Sequence, residues 1–249
     1  MSHPCTIVIP CYNEESRFPR EEFAAFAASH PAIHFLLVND GSTDKTSEVL
    51  RQASQGREEH VRVIDQPANS GKGEAVRTGI LAALERRACL YVGFWDADLA
   101  TPLEQIEELA AVLASHPGVA MVFGARVKLL GRQVDRRAVR HYLGRVFATV
   151  VSLVLRLPIY DTQCGAKIFR VTPNLEELFA HPFGSRWVFD VEIIARFIRQ
   201  RGYDMDSVQS SIYEFPLPVW RDVAGSRVRP RDFFRAFLDV LKIYRRYRP

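Results

Sequence analysis

Four cysteines in 249 residues are too few and too scattered for a disulfide frame, and no two of them form a CxxC pair. Cys5, Cys11, Cys89 and Cys164 therefore read as reduced thiols of a cytosolic protein, not as a zinc site. The chain also lacks a long apolar run. Its best candidate, VFATVVSLVL (Val146 to Leu155), has about half the residues that a bilayer demands and suits a buried or interfacial helix. CTIVIP near the start is short and has no basic leader, so no signal peptide is expected. Nor is the chain short of core material: 47% of its residues are hydrophobic and 25% charged, which excludes a disordered chain. The length fits one large domain or two small ones.

Charge is distributed unevenly. From Arg221 to the end there are nine Lys and Arg against three Asp and Glu, a net of +6. The whole chain is +4, so residues 1–220 sum to −2. Within this tail, RDFFRAFLDVLKIYRRYRP places Phe233, Phe234, Phe237, Leu238, Leu241 and Tyr244 at helical spacing among basic residues. The pattern predicts a basic amphipathic helix over 231–249, set apart from a domain over 1–230 and suited to a peripheral place on an anionic membrane surface. Packing of the same face on the domain is the alternative. No recognition motif supports nucleic acid as a partner.

Strand-like and helix-like segments alternate. CTIVIP, IHFLLVND, HVRVID, CLYVGFWD and VAMVFGAR are rich in β-branched and aromatic residues. Between them lie EEFAAFAAS, STDKTSEVLRQAS, GEAVRTGILAALERR and PLEQIEELAAVLASH, with helical spacing and helix-start residues. Such alternation predicts an α/β fold: a Rossmann-like, mainly parallel central sheet with helices on both faces. Ligands bind such sheets beyond the carboxyl ends of the strands. The segments standing there are PCYNEE, NDGSTD, QPANSGKGEA and DADLATP, each polar, acidic or glycine-bearing.

The last of these holds Asp96 and Asp98 with only Ala97 between them. Like charges this close are costly unless a positive group sits between them. At a strand end facing a cleft, the pair makes a seat for Mg²⁺ or Mn²⁺, which take oxygen ligands and share them with substrate phosphates. A solvated surface turn is the plain alternative; the convergence of four polar rims outweighs it.

Seven stretches in order, IVIPCYNEE, LLVNDGSTDKT, NSGKGEAVRTGI, FWDADLATP, GAR, DTQCGAKIFR and WVFDVEII, resemble glycosyltransferase family 2 enzymes of GT-A fold. DTQCGAKIF and RWVFDVE point to the branch acting on dolichyl or polyprenyl phosphate. The resemblance implies that Pro10, Tyr12, Asn13 and Glu14 line a nucleotide pocket and that Asp40 holds the uracil or ribose edge. It implies that Gly71 and Lys72 approach the nucleotide, that Asp96 contacts the donor, and that Asp98 ligates a metal on the diphosphate. Asp161 falls where the family places an acid near the reaction centre. Mannosyl-transferring members often carry Gln two positions after the second Asp; Ala100 stands here, which favours the glucosyl type and UDP-glucose as donor.

The implied reaction is an inverting transfer of glucose to a polyprenyl or dolichyl phosphate. An acceptor that is already an anion needs cations more than a base. Arg126 in GAR, Arg140 and Arg145 ahead of the apolar helix, and Lys167 are the candidates for that phosphate, with Arg126, Asp98 and Asp161 expected at the chemistry. Asp190 and Glu192 suit either helix anchoring or the site, and Cys164 suits packing. A family 2 transferase with a soluble or polysaccharide acceptor is the main rival. A nucleotidyltransferase would carry a glycine-rich loop where PCYNEE stands, and a non-enzymatic nucleotide-binding module would have little use for Asp96 and Asp98.

Overall fold

The computed structural model describes residues 4–134, 138–223 and 230–248; the side chains of 138–143 and 230–234 lie outside that description. In chain order the first half runs β1 (Cys5–Cys11), α1 (Arg20–Ser29), β2 (Ile33–Asn39), α2 (Thr46–Ser54), β3 (Val61–Asp65), α3 (Lys72–Glu85), β4 (Tyr91–Trp95), α4 (Gln105–Ser115) and β5 (Met121–Ala125). The second half runs β6 (Gln133–Val134), α5 (Ala138–Leu155), β7 (Ala166–Arg170), α6 (Leu175–Phe179), α7 (Phe189–Gln200), α8 (Met205–Ser211), β8 (Ile212–Pro216), β9 (Val219–Trp220) and α9 (Pro230–Tyr247). All five strands expected in the first half form.

Seven strands make the central sheet in the order β3-β2-β1-β4-β7-β5-β8. Every pairing is parallel except those of β7, which runs antiparallel to both β4 and β5. Strand alternation divides the core in two. Cys5, Ile7, Ile9 and Cys11 face the side covered by α1, α2 and α4, whereas Val8 faces the side covered by α3, α5, α7 and α9. Burying each large apolar side chain contributes on the order of 1.5–3 kcal/mol, so both faces are well supplied. The parallel strands β1 to β4 end on one rim. Because β7 is reversed, its beginning reaches the same rim, bringing residues 161–165 beside the end of β4.

The C-terminal helix packs on the domain. Ala236, Val240, Ile243 and Tyr247 join the core on the α7 side, and Phe237 meets Phe147 of α5 edge-on at 5.6 Å. Glu192 ties it down, accepting from the Tyr247 hydroxyl at 2.8 Å and from Arg196 at 2.9 Å. The expected boundary at residue 230 is therefore the start of a helix that shares the domain's core. Leu238, Leu241 and Tyr244 remain exposed on its outer side; Phe233 and Phe234 fall outside the described side chains. Among the described residues no helix is long and apolar enough to cross a membrane.

Candidate active site

The loops after β1 and β2 are stitched to each other. Asn13, in left-handed backbone at φ 51°, donates its N–H to Ser42 Oγ at 2.9 Å, and its Oδ1 accepts from Thr43 N at 2.8 Å. Glu14 N donates to Thr46 Oγ1 at 2.7 Å. Pro10, Tyr12, Asn13 and Glu14 all stand half-buried along this rim. The stitching explains why α2 begins at Thr46 and not at Ser42: residues 42–44 are committed to loop contacts, and Asp44 accepts from Thr46 N at 3.0 Å.

Asp40, at the end of β2, is held by the protein's own donors. It is 2% exposed, and its carboxylate is turned into the loop after β3, accepting from Asn69 Nδ2 at 3.0 Å, Ser70 N at 2.7 Å and Gly71 N at 2.9 Å. Carboxylates at strand ends find backbone donors as readily as ligands, and here the donors are the loop's own. Arg186 grips the loop from outside, donating to Ser70 O at 3.1 Å and Asn69 O at 3.0 Å. Gly71, at φ 97°, lies where a Cβ would collide with the Arg186 side chain. Asp40→Asn should therefore lower melting temperature and nucleotide affinity together, since charged hydrogen bonds of this kind contribute about 1.5–3 kcal/mol each. Thermal unfolding and UDP calorimetry check this; lost UDP binding at an unchanged melting temperature would make Asp40 a direct ligand contact.

The acidic corner lies at the end of β4. Asp96 Oδ1 accepts from Lys72 Nζ at 2.6 Å. Its carboxylate occupies the space that a Cβ on Gly165 would fill, so the residue before β7 must be glycine for Asp96 to sit there. Asp98 accepts from Ala100 N at 3.2 Å and from Arg17 Nη2 at 3.3 Å. Burial pushes the Asp96 carboxyl up, but the Lys72 ammonium and the charges of Arg126 and Lys167 together hold it below the usual range. Asp98 is raised, by burial first and then by the charge of Asp96. That is the signature of two carboxylates with too little positive charge between them, which a divalent cation relieves. Among the described residues no three His, Cys, Asp or Glu side chains converge as a complete metal cage. A two-carboxylate corner suits a cation that takes its other ligands from phosphates and water, as Mg²⁺ and Mn²⁺ do.

Beside this corner stands the one cation expected at the chemistry. Arg126, just past β5, grips Asp161 in bidentate fashion, Nε to Oδ2 at 2.7 Å and Nη2 to Oδ1 at 2.8 Å. Its guanidinium also lies 5.5 Å from the Trp220 ring centre. Asp161 is fixed in turn by Glu214 of β8, which accepts from the Tyr160 and Asp161 N–H groups at 2.8 Å each. Arg145 lies 3.8 Å over the Tyr160 ring. With Ala148, Ser152, Ile159 and Tyr160 it lines a cavity of about 260 Å³ against α5. The Arg140 side chain lies outside the described ones.

Lys167 is a correction. It is 1% exposed, bonded to Asp190 at 2.6 Å, and lies 5.3 Å from the ring centres of both Phe94 and Phe123. Alternation along β7 gives it the same side as Phe169, facing the core under α7, so it cannot reach an acceptor phosphate from the cleft. Asp190 and Glu192 are likewise engaged within the fold. Sequence reading passed over Arg17, Gly165, Arg186 and Glu214. The first three lie inside or beside motifs that were recognised; Glu214 has no local signal.

The profile of "Glycosyl transferase family 2" matches residues 6–177. A dolichyl-phosphate beta-glucosyltransferase of Trichomonas vaginalis is 30% identical over 96% of this chain and 70% of its own length. One of Drosophila melanogaster is 31% identical over 97% of this chain and 74% of its own. Among solved structures, glucosyl-3-phosphoglycerate synthase from Mycobacterium tuberculosis, in complex with Mn²⁺, UDP-glucose and phosphoglyceric acid, superposes with a TM-score of 0.68. That match covers 98% of this chain and 80% of the other at 17% identity, a likeness of fold.

Proposed function

The chain belongs to glycosyl transferase family 2, and from that premise we propose that it transfers glucose from UDP-glucose to a polyprenyl phosphate with inversion at the anomeric carbon. The observation that carries the reading is the Asp96–Asp98 corner, set across Gly165 from the Arg126–Asp161 clamp. Two named beta-glucosyltransferases of dolichyl phosphate support the donor sugar and the acceptor.

Each residue has a task. Asp98 would hold Mg²⁺ or Mn²⁺, which supplies neutralisation of the charge developing on the departing diphosphate. Lys72 and Asp96 fix each other at the donor sugar. Asp40 and Arg186 hold residues 69–71, whose backbone closes on the nucleotide beside Pro10, Tyr12, Asn13 and Glu14. Arg126 offers the acceptor phosphate the Nη1 edge that Asp161 does not engage, so Asp161 acts by aiming Arg126. Arg145, over the Tyr160 ring, adds positive charge on the path of the acceptor. A phosphate oxygen is already ionised at neutral pH, so positioning and charge replace a strong general base.

The enzyme would meet its lipid acceptor from a membrane surface. Exposed Leu238, Leu241 and Tyr244 on α9 stand among Lys242, Arg245, Arg246 and Arg248, and Val146 and Leu153 face outward on the adjoining α5. Basic residues next to exposed apolar ones suit an anionic lipid surface, with an attraction that salt weakens.

One experiment tests the reading: glucose-labelled UDP-glucose and mannose-labelled GDP-mannose are supplied, with Mn²⁺, to enzyme and anionic vesicles bearing polyprenyl phosphate. Label should enter the lipid from UDP-glucose, fall with added salt, and stop reversibly in EDTA. Full activity in EDTA would remove the metal from the account, preference for GDP-mannose would change the donor, and transfer only to soluble phosphates would change the acceptor.

A further inference from the structure

The acid pair carries two resident cations held with unequal strength. Lys72 meets Asp96 at 2.6 Å. Arg17 meets Asp98 through a single nitrogen, Nη2, at 3.3 Å, while its Nη1 stands 3.6 Å from Glu14 Oε1. Its Nε is buried and makes no hydrogen bond among the described residues. The base of the side chain is secured, because Arg17 N and Phe18 N both donate to Glu14 O, at 3.0 and 2.9 Å. Arg17 is thus a guanidinium anchored at its root, loosely engaged at its tip, and set against one of the two Asp98 oxygens, Oδ2.

A divalent cation on that oxygen would compete with the guanidinium for its lone pairs and repel its positive charge. The Arg17–Asp98 contact, at 3.3 Å, is longer than the Lys72–Asp96 contact at 2.6 Å, so it is the one that yields. We propose that Arg17 is a placeholder: it neutralises Asp98 before the donor arrives, gives up the carboxylate to the metal, and turns its released donors to the diphosphate. This rests on the function proposed above. A planar fork suits the handover, since it matches phosphate oxygens as well as carboxylate ones.

The handover has a thermodynamic consequence. Metal alone must displace Arg17 and leave it beside a dication, so metal alone binds weakly. Metal with a nucleoside diphosphate gives Arg17 a new anionic partner, so the two bind cooperatively. Arg17 thereby makes a bare cation a poor occupant and the metal–nucleotide complex a good one. Its role is one of positioning and selection, distinct from a fixed clasp on the turn after β1.

Calorimetry of Mn²⁺ binding to the full chain, alone and with saturating UDP, tests this in wild type, R17M, R17Q and R17K. R17M and R17Q should bind Mn²⁺ alone roughly three- to tenfold more tightly, as expected on removing a partly exposed competing charge. Their enhancement by UDP should shrink by at least the same factor, and R17K should stay near wild type in Mn²⁺ alone. Unchanged or weaker binding of Mn²⁺ alone in whichever neutral variant folds would overturn the proposal and leave Arg17 a clasp. If wild type binds neither UDP nor Mn²⁺, the functional reading itself fails, and the placeholder with it.

Discussion

Asp98→Asn should reduce glucose transfer by about a thousandfold or more, the scale of losing a group aimed at charge in the transition state, and should not lower the melting temperature at neutral pH. The two halves of this expectation have one cause. Burial, and then the repulsion of Asp96, raise the Asp98 carboxyl above the ordinary value of 3.8. An acid with a raised folded value binds more protons folded than unfolded, so stability falls as pH rises from 3.8 through that raised value. Asn removes this cost along with the ligand. Wild type should lose stability across that window by an increment that the variant lacks. Activity assays and thermal unfolding against pH check both parts; a variant that is inactive because it unfolds would contradict the assignment.

Lys167→Met should destabilise the protein by about 3–5 kcal/mol, the usual result of stranding one half of a buried pair. Asp190 would be left ionisable inside the core, 4% exposed, without its partner at 2.6 Å. Replacing Asp190 by Leu in the same protein should recover much of the loss, because two apolar residues of similar volume leave no uncompensated charge. Denaturant unfolding of the single and double variants measures this. Had Lys167 served the acceptor phosphate, the single variant would raise KM for that acceptor at unchanged stability.

The two substitutions also mark what the sequence made legible. Periodicity and strand-end chemistry were enough for β1 to β5, for the rim they share, and for the corner of Asp96 and Asp98, because parallel βα units place ligands at one end of the sheet. The reversal of β7 was not legible. AKIFR reads as a strand in either direction, and only pairing to both β4 and β5 reveals that its beginning abuts Asp96. That reversal is also what turns Lys167 inward and brings Asp161 to Arg126. Asp40 stands at the expected strand end, but its partners in residues 69–71 are not legible, since nothing local shows that this loop folds back onto it. Glu214 was invisible for the same reason: it acts on Tyr160 and Asp161, more than fifty positions away. Arg17, by contrast, lies just past the first motif, but its significance depends on a contact 81 positions distant.

The most direct test of the central claim is the structure of the product formed from UDP-glucose and a short-chain polyprenyl phosphate. Attack of an acceptor phosphate oxygen on the anomeric carbon, with UDP leaving, predicts one equivalent of UDP and a β-linked glucosyl phosphodiester with a single phosphorus between sugar and lipid. Phosphorus and proton magnetic resonance of the purified lipid, with nucleotide chromatography, read both at once. Release of UMP with two phosphorus atoms in the link, or an α-linked product, would contradict the account.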